Sequence, residues 1–155
     1  MQIGPFELPP RLNGQNYLHF LQNDLDDLIN RADLPPQIRN QLILIQDGAP
    51  PHYAVEVRDY LNARFPDRWI GRASPGINWP ARSPDLNVND FFLWGHVKNI
   101  VYRGDTSNRA ETLQRIHQAF ADIPPQTIRR ATQSFTRRLE MCIANDGRHF
   151  EHLLH

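Results

Sequence analysis

The sequence predicts an α/β fold: a small parallel sheet with several helices, and a helix-rich C-terminal half. Three observations predict it. Residues 41–46, QLILIQ, form an apolar run of strand length, and Trp69-Ile70 is a second, shorter one. Between them an amphipathic pattern has helical spacing, and a strand–helix–strand order implies a right-handed crossover between parallel strands. Beyond residue 91 the apolar residues recur mostly at helical intervals.

Residues 2–8 alternate weakly through Ile3, Phe6 and Leu8, which predicts a short strand. Pro5 confines it to an edge or a bulge, and Pro9-Pro10 stops it. Asn13 is the expected N-cap of a helix over 14–30, with Tyr17, Leu18, Leu21, Leu25 and Leu28 on its apolar face. Asp24, Asp26 and Asp27 on that helix read as a solvated charged face. A proline-interrupted connector covers 32–40. The strand 41–46 then ends at Asp47-Gly48, and Ala49-Pro50-Pro51 leads into a helix from His52 to Phe65. Tyr53, Val57, Tyr60 and Leu61 face inward there, and Pro66 ends it.

Residues 71–78 read as loop. The stretch Trp79–Gly95, WPARSPDLNVNDFFLWG, starts as a loop because of Pro80, Ser83 and Pro84. It ends as a helix whose apolar positions are Phe91, Leu93, Trp94, Val97, Ile100 and Val101. Asn108 with Glu111 resembles a capping box for a helix over 109–122 carrying Leu113, Ile116 and Phe120. Pro124-Pro125 opens the last long helix. Ile128, Ala131, Phe135, Leu139 and Cys142 form its apolar stripe, and Arg129, Arg130, Arg137 and Arg138 are expected on the opposite side.

A chain of 155 residues suits one domain with a real core. Its formal net charge is zero, so no global field draws it to nucleic acid. All the basic residues except Lys98 are Arg. That bias suits phosphate oxygens and equally suits a coding-sequence origin. The single cysteine, Cys142, excludes an internal disulfide. No signal-peptide pattern and no run of about 20 apolar residues is present, so a cytosolic or nuclear location is expected, without secretion or a membrane.

Two acids stand out. Asp47 ends a strand before a turn and a helix, at the kind of sheet edge where ligands bind. Asp90 lies where a loop becomes a helix. Each has a plain structural reading, as a turn residue or a helix cap. Together they are able to approach across a sheet edge and share divalent metal. His149, His152 and His155 recur at a spacing of three, but no further pattern completes a zinc site, and a frayed tail is expected.

QDGAPPH followed by WPARSPDLNVNDFFLWG resembles the catalytic core of mariner-superfamily DNA transposases. The resemblance runs from about Ile3 to the C-terminus and includes LNGQNYLHFLQNDL and GRHFEHLL. It implies a ribonuclease-H-like fold, present here in N-terminally truncated form over residues 1–155, without the family's helix-turn-helix region. It further implies cut-and-paste chemistry with Mg²⁺ or Mn²⁺. Asp47 becomes the second of three catalytic, metal-binding acids and Asp90 the third. His52 belongs to the motif, touching phosphate or orienting an acid, and reads equally as a plain helix-start residue. His52, Arg82, Arg129, Arg130, Arg137 and Arg138 are the candidate DNA contacts.

The chain departs from the family pattern at Val88, where Pro is frequent, in having Asp rather than Glu as third acid, and in the 42 residues between Asp47 and Asp90. The family's first acid lies upstream of Ile3. These departures imply weak or absent activity for the 155 residues alone. They also imply an open sheet edge that residues 2–8 leave empty or fill. The expected partners are transposon-end and target DNA, with a homodimer or a protein partner at the open edge. The competing readings are a non-enzymatic module that binds nucleic acid or protein, and a decayed element remnant.

Overall fold

The computed structural model describes residues 3–80, 83–105 and 108–154. The chain gathers into two compact units that divide between Arg82 and Ser83.

In the first unit, helix α1 (Gly14–Asn23) starts at Asn13, whose side-chain oxygen accepts from the Asn16 N–H at 2.8 Å. This is the predicted cap. The predicted single helix to residue 30 is two, because α2 (Leu25–Arg31) follows a break at Asp24. Asn23 donates its side-chain amide to the His19 carbonyl, 2.8 Å away. Short polar side chains that bond nearby backbone weaken a helix interior. A short helix α3 (Pro36–Arg39) lies within the connector.

Strand β1 (Leu44–Ile45) is shorter than the predicted 41–46. The Arg68 guanidinium takes the Asn40 and Leu42 carbonyls at 3.0 and 3.3 Å, so that backbone bonds to a side chain instead of a ladder. A 3₁₀ turn (Pro50–Tyr53) and helix α4 (Val55–Arg64) lead to β2 (Trp69–Gly71). A third strand, β3 (Ile77–Asn78), stands where the sequence reads as loop. Two residues after a glycine carry no periodicity that identifies a strand. The sheet order is β1-β2-β3, with both pairs parallel; Leu44 faces Trp69, and Ile70 faces Ile77.

Tyr17 and Leu21 of α1 pack with Val57 and Leu61 of α4, Phe65 and Trp69. Gly14 permits this close approach, since a Cβ there would lie 2.5 Å from the Ala54 Cβ. Residues 3–8 form no strand, contrary to expectation, and of the two outcomes expected at the sheet edge they leave it unfilled. Phe6 packs on Phe20 of α1 instead, ring centroids 4.9 Å apart, and Pro5 has no N–H to offer a ladder. Ile43 and Ile45 beside the β1 edge stay 57% and 50% exposed.

In the second unit, a 3₁₀ turn (Pro84–Leu86), a π turn (Asn89–Leu93) and helix α5 (Trp94–Val101) make one continuous path. Helix α6 (Arg109–Ala121) is capped as predicted, with the Asn108 side chain accepting from the Glu111 N–H at 2.9 Å. Val97 and Val101 pack against Ala119 and Phe120, with Leu93, Ile100 and Ile116 around them. Helix α7 (Pro125–Ala144) follows, and a last 3₁₀ turn covers Glu151–Leu153. A small parallel sheet in the first unit and a helical second unit are the α/β organisation the sequence predicts.

Candidate functional site

The first acid sits two residues beyond Ile45, the last residue of β1. Asp47 Oδ1 accepts two hydrogen bonds: from the Ala49 N–H at 3.0 Å, which closes a tight turn, and from His52 Nδ1 at 2.7 Å. Oδ2 has no hydrogen-bond partner among the described residues, and the side chain is 45% exposed. An ionised carboxylate only accepts, so the proton between it and His52 lies on Nδ1. Of the readings open for His52 (phosphate contact, orienting an acid, or a helix start), its ring is placed to orient an acid.

Behind this pair is Gln46, 6% exposed. Its backbone N–H joins the sheet at the Ile70 carbonyl, 2.9 Å. Its side-chain amide is used at both ends. Oε1 accepts from the Tyr17 hydroxyl at 3.0 Å, and Nε2 donates to the His52 carbonyl at 2.9 Å. The Tyr17 and His52 ring centroids are 4.4 Å apart. Gly71 on β2 leaves room for Gln46, since a Cβ there would lie 3.0 Å from the Gln46 Cγ and 2.9 Å from the Trp69 ring. Burial pushes the Tyr17 hydroxyl well above the ordinary tyrosine range, and the charge of Asp47 adds to this. Tyr17 therefore remains a donor.

The second acid, Asp90, lies inside the π turn rather than at a helix cap. Asn87 holds it: Nδ2 donates to Asp90 Oδ2 at 2.8 Å, and the Asn87 carbonyl accepts from the Asp90 N–H at 2.9 Å. Asn87 Oδ1 accepts from the Asn89 N–H at 3.1 Å. Oδ1 of Asp90 has no hydrogen-bond partner among the described residues, and the residue is exposed. Single π turns inside helices recur at functional sites. Each acid thus has one oxygen tied to the protein and one open. Hard, open carboxylate oxygens on fixed backbone are donors that suit Mg²⁺ or Mn²⁺.

The arginines divide. Arg129, Arg130 and Arg137 are exposed on α7. Arg138 is not on the solvent side as predicted. Its guanidinium lies 3.9 Å from the Phe91 ring centroid, donates to the Asp85 carbonyl at 2.8 Å, and pairs with Glu151 at 3.0 Å. Residues 131, 134, 135, 138, 139 and 142 lie on the less exposed stripe of α7, and position 138 belongs to it. The Arg138 stem and planar head pack there while its charge is paired. Arg82 lies outside the described residues.

The C-terminal tail is ordered rather than frayed through residue 154. Phe150 is buried, and His149 Nδ1 meets Asp85 Oδ2 at 2.8 Å. Asp85, His149 and Glu151 bring one ligand atom each within 4.8 Å of one another. Both carboxylates are already paired, Asp85 with His149 and Glu151 with the permanently charged Arg138. The cluster ties the tail to the Pro84–Leu86 turn. His155 lies outside the described residues.

Sequence reasoning named both acids and His52, but gave no role to Gln46, the Tyr17 hydroxyl or Asn87. The available signal was polarity: Gln46 is the one polar residue ending an apolar run beside an acid, and Asn87 stands three residues before Asp90.

No family model matches the chain. The transposable element Tc3 transposase of Caenorhabditis elegans is 27% identical over 139 residues, which is 88% of this chain and 38% of that protein. The chain thus spans about two fifths of the length of this curated relative. Among solved structures, the catalytic domain of Mos1 mariner transposase with raltegravir and Mg has a TM-score of 0.77 and 26% identity, covering 91% of this chain and 66% of that one. The Mos1 transposase paired-end complex with a left transposon end gives 0.75 and 25%, covering 91% of this chain and 38% of that one.

Proposed function

We propose, from its similarity to the Tc3 transposase and to the Mos1 transposase catalytic domain, that the chain is a mariner-type, ribonuclease-H-like transposase catalytic segment in which Asp47 and Asp90 are catalytic metal ligands for DNA cleavage and strand transfer. The observation that carries this reading is the matched construction of the two acids. Each sits at a turn, each has one oxygen fixed by a neighbouring side chain, and each leaves the other oxygen open. Magnesium or manganese, when bound, would activate the attacking oxygen and stabilise the leaving oxygen of a phosphodiester.

The chain's own residues supply the rest. His52 holds Asp47 through Nδ1, and Asn87 holds Asp90. Arg129, Arg130 and Arg137 would contact DNA phosphates, which adds affinity without sequence preference. A transposon end and a target are the DNA substrates this reading assigns, in the nucleus.

A second reading draws on the exposed Ile43 and Ile45 at the β1 edge. Unpaired apolar edges recruit other chains, and a non-enzymatic binding module would use this one.

Plasmid nicking by the purified chain, with Mg²⁺ or Mn²⁺, tests the first reading beside Asp47→Ala and Asp90→Ala. Metal-dependent nicking that both substitutions abolish is the expected result. A folded protein that binds DNA in a metal-independent, salt-sensitive way and never nicks it would favour the binding module.

A further inference from the structure

We propose that Tyr17 and Gln46 are positioning residues for the Asp47–His52 pair, acting through a buried hydrogen-bond chain that runs from helix α1 to the metal-facing carboxylate. The inference rests on the reading of Asp47 as a metal ligand and extends it to residues outside the motif.

The chain of contacts has one direction. The His52 carbonyl only accepts, so the Gln46 amide must turn Nε2 toward it and Oε1 away. Oε1 then needs a donor, and the Tyr17 hydroxyl supplies one at 3.0 Å. Reversing the amide would set two acceptors against each other at the carbonyl. Tyr17, Gln46 and the His52 backbone therefore fix one another. The imidazole has a second restraint, because the Tyr17 ring lies against it at 4.4 Å. With backbone and ring both held, Nδ1 faces Asp47 Oδ1 at 2.7 Å, and Oδ2 is left for metal.

Three parts of the sequence meet in this chain: Tyr17 of α1, Gln46 at the end of the apolar strand run, and His52 in the 3₁₀ turn. Gln46 and Tyr17 are both buried, where an amide or hydroxyl without a partner is costly. Apolar residues would fill the same space more cheaply if packing were their sole role. Partners one shell out from a metal orient the ligands and tune affinity, and their loss lowers affinity about 10–100-fold.

The test uses Tyr17→Phe, which keeps the ring, and Gln46→Met, which keeps the volume, in the full 155-residue chain. Two quantities are read. The first is the ¹⁵N shifts of the His52 ring, which report the fraction of the Nδ1–H tautomer without any metal. The second is Mn²⁺ affinity by electron paramagnetic resonance. Val57→Ala, in the same core but outside the hydrogen-bond chain, controls for lost stability. Both network variants are expected to lower the Nδ1–H fraction and to weaken Mn²⁺ binding about tenfold, while Val57→Ala changes neither.

An unchanged His52 tautomer in folded Tyr17→Phe and Gln46→Met overturns the inference. The reading of Asp47 fails separately: in that case the wild type and Asp47→Ala bind Mn²⁺ equally, whatever the tautomer does. If one variant does not fold, the tautomer in the other decides.

Discussion

Arg138 shows at the scale of one residue how packing reassigns a charge. The sequence groups it with Arg129, Arg130 and Arg137, yet on α7 position 138 falls beside Ala131 and Ser134, and its side chain stacks on Phe91 and bonds Asp85 and Glu151. Arg138→Ala should cost about 2–3 kcal/mol, since it removes a charged hydrogen bond and a cation–π contact at a side chain 12% exposed. Arg130→Ala should stay within about 0.5 kcal/mol. Urea unfolding of both variants checks this. Tyr17 carries a pH dependence. Its folded pKa lies above the unfolded value of about 10, so above that pH the folded chain keeps a proton the unfolded chain has lost. Stability is fully present below about pH 10 and falls above it, at up to about 1.4 kcal/mol per pH unit for one proton. Tyr60 is raised too, by burial first, and adds the same sign. Tyr17→Phe should therefore reduce the alkaline slope of the unfolding free energy without abolishing it. The site was legible in the sequence where residue type implies chemistry, as at Asp47, Asp90 and His52. It was illegible where the role depends on a partner far along the chain, as in the Tyr17–Gln46 bond.

Gly14 shows at the scale of elements why the helices sit where they do. Helix propensity alone favours Ala at this position by about 1 kcal/mol. A Cβ there would meet the Ala54 Cβ at 2.5 Å, at the start of α4. Gly14→Ala is accordingly expected to lower stability by a net 1–3 kcal/mol, roughly the cost of overpacking, which thermal and urea unfolding will measure. The elements legible in advance were those with a cap or a long period: Asn13 and Asn108 mark their helices, and α7 follows its stripe. The breaks were not legible. Asp24 interrupts a helix whose apolar spacing runs on, Arg68 shortens β1 from 26 residues away or more, and β3 is two residues long. The break at Asp24 turns on the local Asn23 side-chain bond, and the extents of β1 and β3 depend on tertiary partners that local pattern does not carry.

For the whole molecule, a net charge of zero leaves attraction to DNA to local groups. Among the arginines placed on the basic side of α7, the exposed ones are Arg129, Arg130 and Arg137. The central claim concerns the two acids, which lie on different units of the chain and have the same open-oxygen construction. The most direct measurement is Mn²⁺ binding by electron paramagnetic resonance to the wild type, Asp47→Ala, Asp90→Ala and Asp85→Ala. Asp47→Ala and Asp90→Ala should each weaken binding by tenfold or more, roughly the loss of one charged ligand. Asp85→Ala, in the already paired cluster with His149 and Glu151, should leave it unchanged. Wild-type affinity in both Asp47→Ala and Asp90→Ala, or its loss only in Asp85→Ala, would contradict the account.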